Sequence, residues 1–283
     1  MSISVVAVVG AGFMGTGIAE SAALAGKHVV LYEPDERPLR QSRGRRSASI
    51  EKRMLNGKLT RDEGERPRDR VIYTTRFEDL GGADAVIEAV IEDATLKREV
   101  FARLDEQVPD ADFLAPNTSS IPIAELAAAT SRPQRVLGLC FFSPVPVMML
   151  VEVVVALDTS EVTIARSRRF IERLGKRPIE TKDRSGFIVN MLLVPYLMAA
   201  VRMYEEGFAS REDIDNGMKL GCGHPMGPLT LCDFIGLDVL YAVCDSLYEE
   251  FKRDEYAPPP LMKRMVASGR LGRKSGRGFY DYG

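Results

Sequence analysis

Two kinds of chemistry are written into the spacing of this chain's polar and small residues. The first is recognition of a dinucleotide by backbone. A β-branched run at 4–9 ends in Gly10-Ala11-Gly12-Phe13-Met14-Gly15, a helical pattern follows through Ile18, Ala22 and Leu24, and a second apolar run at 29–32 closes on Glu33. A lone G-x-G-x-x-G says little. This one follows a strand, opens a helix and meets an acid eighteen residues after its last glycine. Gly10 permits a tight turn, Gly12 lets backbone approach a pyrophosphate, and Gly15 lets helix and strand pack closely. The helix N-terminus, with Phe13 and Met14 in its first turn, offers N–H groups to phosphate. Glu33 would accept hydrogen bonds from ribose hydroxyls and repel an added 2′-phosphate, so the expected cofactor is NAD rather than NADP.

The second kind is proton chemistry in the run 138–152, GLCFFSPVPVMMLVE. Apolar residues on both sides of Pro144-Val145-Pro146 read as two buried strands. Cys140 lies on the first, and Glu152 lies on the second, twelve residues further on. A carboxylate in such a run is costly to bury without a partner. The pattern alone also allows a strand Glu that leans out to water.

These residues need a scaffold, and the alternation of strand and helix patterns supplies one. Short strands at 71–73, 83–90 and 113–115, a helix at 94–108, and a helix and strand at 162–174 and 177–181 continue the first half. They describe an α/β, doubly wound, Rossmann-type sheet over residues 1–184. A polar stretch at 182–186 marks a boundary, and residues 185–283 show helix patterns without strand alternation, as expected for an all-helical second domain. At 283 residues the chain suits two compact domains. The net charge of -2 gives no global field toward nucleic acid or an anionic membrane. No apolar run reaches bilayer length and no leader pattern is visible, so a cytoplasmic protein is expected. Four cysteines without C-x-x-C spacing and two histidines argue against a disulfide framework or a metal site. One local charge concentration stands out: residues 35–58 hold eight basic side chains against three acids. Such runs are usually solvated helix faces, and a phosphorylated substrate arm is the functional alternative.

With these motifs in place, the chain resembles the 3-hydroxyacyl-CoA dehydrogenase family, which includes the 3-hydroxybutyryl-CoA dehydrogenases. The family's active-site segment reads roughly G-x-H-F-F-N-P-V-P-x-M-K-L-V-E-V, and residues 138–152 follow it with Cys140, Ser143 and Met149 at the His, Asn and Lys positions. The resemblance implies that Glu152 is the carboxylate that orients the base, and that Cys140 stands in the base's place. Residues 116–120, PNTSS, match the family's N-T-S-S, which implies substrate-hydroxyl contact for Ser119 and cofactor contact for Asn117. Residues 86–97 match V-I-E-A-V-x-E-x-x-x-x-K, which implies that Glu92 and Lys97 face the nicotinamide half of NAD. Residues 187–193 are similar to F-I-V-N-R-L-L, which implies a substrate contact for Asn190.

Plainer roles stand beside these: a loop acid, a surface lysine, a helix N-cap at the serines before Ile121-Pro122, and a packing Asn. The implied activity is NAD-dependent oxidation of a 3-hydroxyacyl thioester to the 3-oxoacyl thioester, within fatty acid metabolism, by a homodimer. The implied partner is an acyl-CoA or an acyl carrier protein thioester. Two alternatives remain: a specialised hydroxyacyl group on acyl carrier protein in polyketide extender-unit biosynthesis, and an NAD- and acyl-binding homologue with little activity. The thiol bears on whether the reaction runs. A free cysteine ionises at roughly 8.5 and a neighbouring carboxylate raises that value, so Cys140 is expected to be neutral and a poor base. Glu152 itself, or His224, read as the start of a helix in the second domain, is then left to accept the proton.

Overall fold

The computed structural model describes residues 3–65 and 67–283. The chain divides into two compact units, Met1–Arg184 and Ser185–Gly283.

The first unit runs β1 (Val5–Val9), α1 (Phe13–Leu24), β2 (His28–Tyr32), α2 (Glu36–Leu55), α3 (Arg61–Glu65), β3 (Val71–Thr74), β4 (Ala85–Glu88), α4 (Ala94–Gln107) and β5 (Phe113–Pro116). It continues with α5 (Ile123–Ala127), β6 (Gly138–Phe141), β7 (Leu150–Val155), α6 (Glu161–Arg173) and β8 (Arg177–Lys182). Strands β1 to β5 form one sheet in the order β3-β2-β1-β4-β5, with every pairing parallel. Near-continuous burial of β1 and β4 is what a parallel sheet covered on both faces requires. The order reverses at β1, so the loops after β1 and β4 leave the same sheet edge side by side at the switch point.

The later strands do not extend that sheet. They make a second one, β6-β7-β8, in which β7 is antiparallel to β6 and parallel to β8. The reason is local: the short 142–149 connection turns the chain straight back, which only an antiparallel pair accepts. A single parallel bridge, Leu114 to Val136, links the two sheets. Their side chains share one core, in which Val8, Ile87, Phe113, Leu139, Phe141 and Val153 pack together.

The second unit contains α7 (Val189–Glu205), α8 (Arg211–Cys222), α9 (Pro228–Ile235), α10 (Leu237–Phe251) and α11 (Pro260–Ala267). Their core includes Val194, Leu197, Met198, Leu229, Leu240 and Met262. Among the described residues, no helix is long and apolar enough to cross a membrane.

Two glycines make the switch point possible. Gly10 has φ 104°, and a Cβ there would strike the Ala89 carbonyl at the end of β4. A Cβ on Gly15 would run into the Gly10 carbonyl oxygen. Gly15→Ala should therefore lower unfolding stability by about 1 to 3 kcal/mol, measured by urea titration, because backbone rather than a flexible side chain must yield.

Candidate functional site

At the switch point, the glycine loop is held and open at once. The Ala11 N–H donates to Glu33 Oε2 at 2.9 Å, and the Ala11 carbonyl accepts from Arg45 Nη2 at 2.7 Å. This peptide is therefore fixed from both sides. Gly12 is the N-cap of α1 and carries no side-chain cap, while a Cβ there would meet nothing within 4 Å. An uncapped helix N-terminus behind an open glycine is a cradle for a diphosphate. Phe13 beside it is exposed, whereas Met14 packs against the core. The residues present therefore fit a dinucleotide, with Glu33 tied to the loop through the Ala11 N–H.

The loop after β4 is organised by buried charge. Lys97 on α4 is completely buried, and its ammonium lies 2.8 and 2.9 Å from the two Glu88 oxygens and 3.3 Å from Glu92 Oε2. Lys97 is thus neither a surface lysine nor turned out toward a ligand. It holds Glu92 in place, and Glu92 is the exposed member. Burial pushes the Glu88 carboxyl above its ordinary range, and the Lys97 ammonium pulls it part of the way back. Glu92 Oε1 accepts hydrogen bonds from the Thr118 hydroxyl and from Ser120 Oγ, the latter at 2.7 Å. Ser119, half-buried, sits between those two anchored hydroxyls.

The serines do not cap the next helix. The first N–H groups of α5, from Ile123 and Ala124, both donate to the Asp183 carboxylate at 2.8 Å, and Thr118 Oγ1 accepts from the Ser120 and Ile121 N–H groups. Asn117 joins the two sheets: its N–H donates to the Glu88 carbonyl at 2.7 Å, and its Oδ1 accepts the Phe141 N–H at 3.0 Å.

That last bond fixes the end of β6, one residue past Cys140. In the β6–β7 ladder Cys140 stands directly opposite Glu152, so the two side chains share one face. Cys140 is 8% exposed and Glu152 1%. Burial pushes the Cys140 thiol far above its usual range, and the Glu152 and Glu92 carboxylates push it further. Each of these causes favours the neutral thiol. Ser143 and Met149 lie exposed on the loop between the strands, with a cis peptide at Ser143–Pro144.

In the helical unit, Asn190 is half-buried in the first turn of α7. The approach to that turn passes through Gly186 at φ 81° and Phe187 at φ 47°, a left-handed conformation unusual for a bulky side chain. His224 does not begin a helix. It lies in the turn between α8 and α9, where Nδ1 meets the Tyr196 hydroxyl at 3.2 Å and the two rings meet edge to face. Both rings border an open apolar groove of about 550 Å³ with Leu192, Leu193 and Phe234.

The basic run on α2 is only partly available to a ligand. Arg46 is buried against the Pro67 carbonyl, Arg45 holds Ala11, and Arg53 pairs with the buried Glu20 at 3.4 Å. Arg37, Arg40, Arg43 and Lys52 on α2, and Lys58 just past its end, remain exposed.

The pattern of 3-hydroxyacyl-CoA dehydrogenase, NAD binding domain, matches residues 5–184, and that of the C-terminal domain of the same family matches residues 186–282. The chain belongs to the 3-hydroxyacyl-CoA dehydrogenase family. It is 52% identical over 283 residues to the 3-hydroxybutyryl-CoA dehydrogenase of Mycobacterium tuberculosis, covering 99% of each chain. The crystal structure of M. tuberculosis FadB2 superposes with a TM-score of 0.98 at 52% identity, over 100% of both chains. That of (S)-3-hydroxybutyryl-CoA dehydrogenase PaaH1 from Ralstonia eutropha gives a TM-score of 0.94 at 44% identity, again over 100% of both. The first unit is thus the NAD-binding domain of this dehydrogenase family.

Sequence reading missed the Glu88–Lys97 pair and the hydroxyls of Thr118 and Ser120. Glu88 carried the same signal as Glu152, an acid inside an apolar strand.

The neutral thiol has a measurable consequence. A group whose folded-state pKa is raised stabilises the fold fully below its unfolded value, and that contribution is lost as pH rises toward the folded value. The ordinary thiol value is roughly 8.5, so the contribution should decline above about pH 8.5. Unfolding free energies measured across that range should fall more steeply for the parent than for Cys140→Ala, by up to about 1.4 kcal/mol per pH unit.

Proposed function

We propose that this dehydrogenase oxidises the 3-hydroxyl of a short 3-hydroxyacyl-CoA to the 3-oxoacyl-CoA with NAD, and that Glu152 rather than Cys140 receives the hydroxyl proton. The observation that carries the reading is the in-register pairing of Cys140 with Glu152 on a strand end that Asn117 ties to the Ser119 loop. The name of the 52% identical relative supports a four-carbon acyl group.

In this reading Ser119 Oγ holds the substrate hydroxyl, and Thr118 and Ser120, anchored on Glu92, fix the loop that presents it. The family resemblance gives Asn190 a substrate contact as well. A Glu152 oxygen takes the proton as the alcohol becomes a ketone, while the neutral Cys140 packs beside it as a small apolar group. NAD, when bound, accepts the hydride from the carbinol carbon. Glu92, kept in place by Lys97, serves the nicotinamide half, and Glu33 the adenosine ribose. The exposed α2 cations suit the phosphates of the CoA arm, and the same charges would attract an acidic carrier protein.

The protein acts in the cytoplasm as a homodimer. Its four free cysteines suit a reducing compartment, and exposed Leu192 and Phe234 give the helical unit an apolar face for a second copy.

A second reading, a protein that binds NAD and acyl-CoA with little turnover, is favoured by the neutral thiol at the position of the family's imidazole. Turnover of 3-hydroxybutyryl-CoA with NAD separates the two. A dehydrogenase using Glu152 turns over measurably as the parent, and Cys140→His raises kcat modestly. A silent parent that gains roughly 10²- to 10⁴-fold in Cys140→His establishes the low-activity reading, since that is the usual contribution of a general base.

A further inference from the structure

The hairpin that carries Cys140 and Glu152 is gripped from outside its own ladder. Lys176, between α6 and β8, is 7% exposed, and its ammonium donates to two carbonyls of the connecting loop, Val145 at 2.5 Å and Met148 at 2.8 Å. A buried ammonium directed at two backbone carbonyls is an expensive arrangement for a surface loop unless the loop must be held. The backbone of Lys176 is itself fixed: Gly175 turns at φ 73°, and the Lys176 N–H donates to the Ile171 carbonyl at 3.2 Å. The next residue, Arg177, donates its N–H to the Met149 carbonyl at 2.7 Å, which closes the far end of the loop.

From the other side the loop rests on α1. A Cβ on Gly17 would stand 2.9 Å from Val145 Cβ and 3.4 Å from Pro146 Cδ, so only glycine lets the loop lie this close. Within the loop the Val147 and Met148 N–H groups both donate to the Pro144 carbonyl, at 2.9 and 3.0 Å. Outward, Val147, Met148 and Met149 are exposed. Glu20, buried on α1 and paired with Arg53, is the acid that favours the Lys176 ammonium, against burial and the nearby Arg53 guanidinium.

We propose that Lys176 is a positioning residue for the dehydrogenase reaction: with Gly17 as the opposing stop, it clamps the 144–148 loop and thereby sets the reach of Glu152 and the placement of Ser143. This rests on the role of Glu152 given above, and it is separable from it by experiment.

The test compares the parent with Lys176→Met, Lys176→Arg and Gly17→Ala. The readouts are amide hydrogen exchange of 144–149 by mass spectrometry, NAD affinity by calorimetry, and kcat and KM with 3-hydroxybutyryl-CoA. Lys176→Met should speed exchange at Val147 and Met148 by about tenfold or more, as local opening becomes easier. It should lower kcat by about 10- to 100-fold through misplacement, with NAD affinity unchanged. Lys176→Arg, which keeps charge and donors, should recover part of both effects. Gly17→Ala moves the loop while the ammonium stays in place, and should lower kcat even if Lys176→Met fails to fold. Parent-like loop exchange in Lys176→Met would overturn the clamp, as would parent-like kcat in Gly17→Ala. Loss of NAD affinity in step with kcat would also overturn it, by showing general damage. A parent without turnover defeats the assigned reaction alone, because loop exchange still reports on the clamp.

Discussion

The carboxylate of Glu152 lies inside the second sheet, on its central strand, opposite the Cys140 thiol and bordered by Ile179 on the other side. Bringing a carboxylate into such a place costs several kcal/mol unless the surroundings are arranged for it. Much of the first unit can be understood as that arrangement. The β6–β7 pair fixes which residue Glu152 faces, Asn117 fixes where β6 ends, and the shared core joins this small sheet to the dinucleotide-binding one. Each is a constraint on register. A slip of one residue would turn Glu152 to the opposite face.

The thiol changes what that constraint accomplishes. An imidazole opposite a carboxylate would share a proton with it, each stabilising the charged form of the other. A thiol opposite a carboxylate cannot, since ionising it would place two negative charges together in a buried site. Burial and both neighbouring acids therefore act in the same direction on Cys140. In the Glu88–Lys97 pair a buried acid meets a cation, so that the charge remains inside and the exposed Glu92 is steadied by it. Removing Lys97 would leave Glu88 buried without its cation, a loss of about 3 to 5 kcal/mol for pairs of this kind.

The fingerprint loop was legible in the sequence because glycine identity encodes backbone geometry directly. Gly10 needs its positive φ, Gly12 its open face and Gly15 its close contact, and no distant residue is required to infer any of these. The 138–152 hairpin was legible for a related reason: two apolar runs around a Pro-x-Pro turn have few other ways to bury themselves. What pattern could not reach depends on separations it does not encode. Lys97 looks like any helix lysine until α4 folds back on β4. The cap of α5 comes from Asp183, sixty residues along the chain. The sequence reading starts a helix at His224, whereas the structure starts α9 at Pro228. The grip of Lys176 on two carbonyls was invisible for the same reason as Lys97.

The central claim is that the proton of the substrate hydroxyl goes to Glu152 past an unionised Cys140. The most direct measurement is single-turnover formation of NADH from saturating NAD and 3-hydroxybutyryl-CoA in Glu152→Gln, alongside Cys140→Ala and with melting temperatures recorded for both. The expected result is a loss of about 100-fold or more in Glu152→Gln, with NAD still bound and the fold intact, and a near-parental rate in Cys140→Ala. A near-parental rate in Glu152→Gln together with collapse in Cys140→Ala would contradict it, and would make the thiol the base.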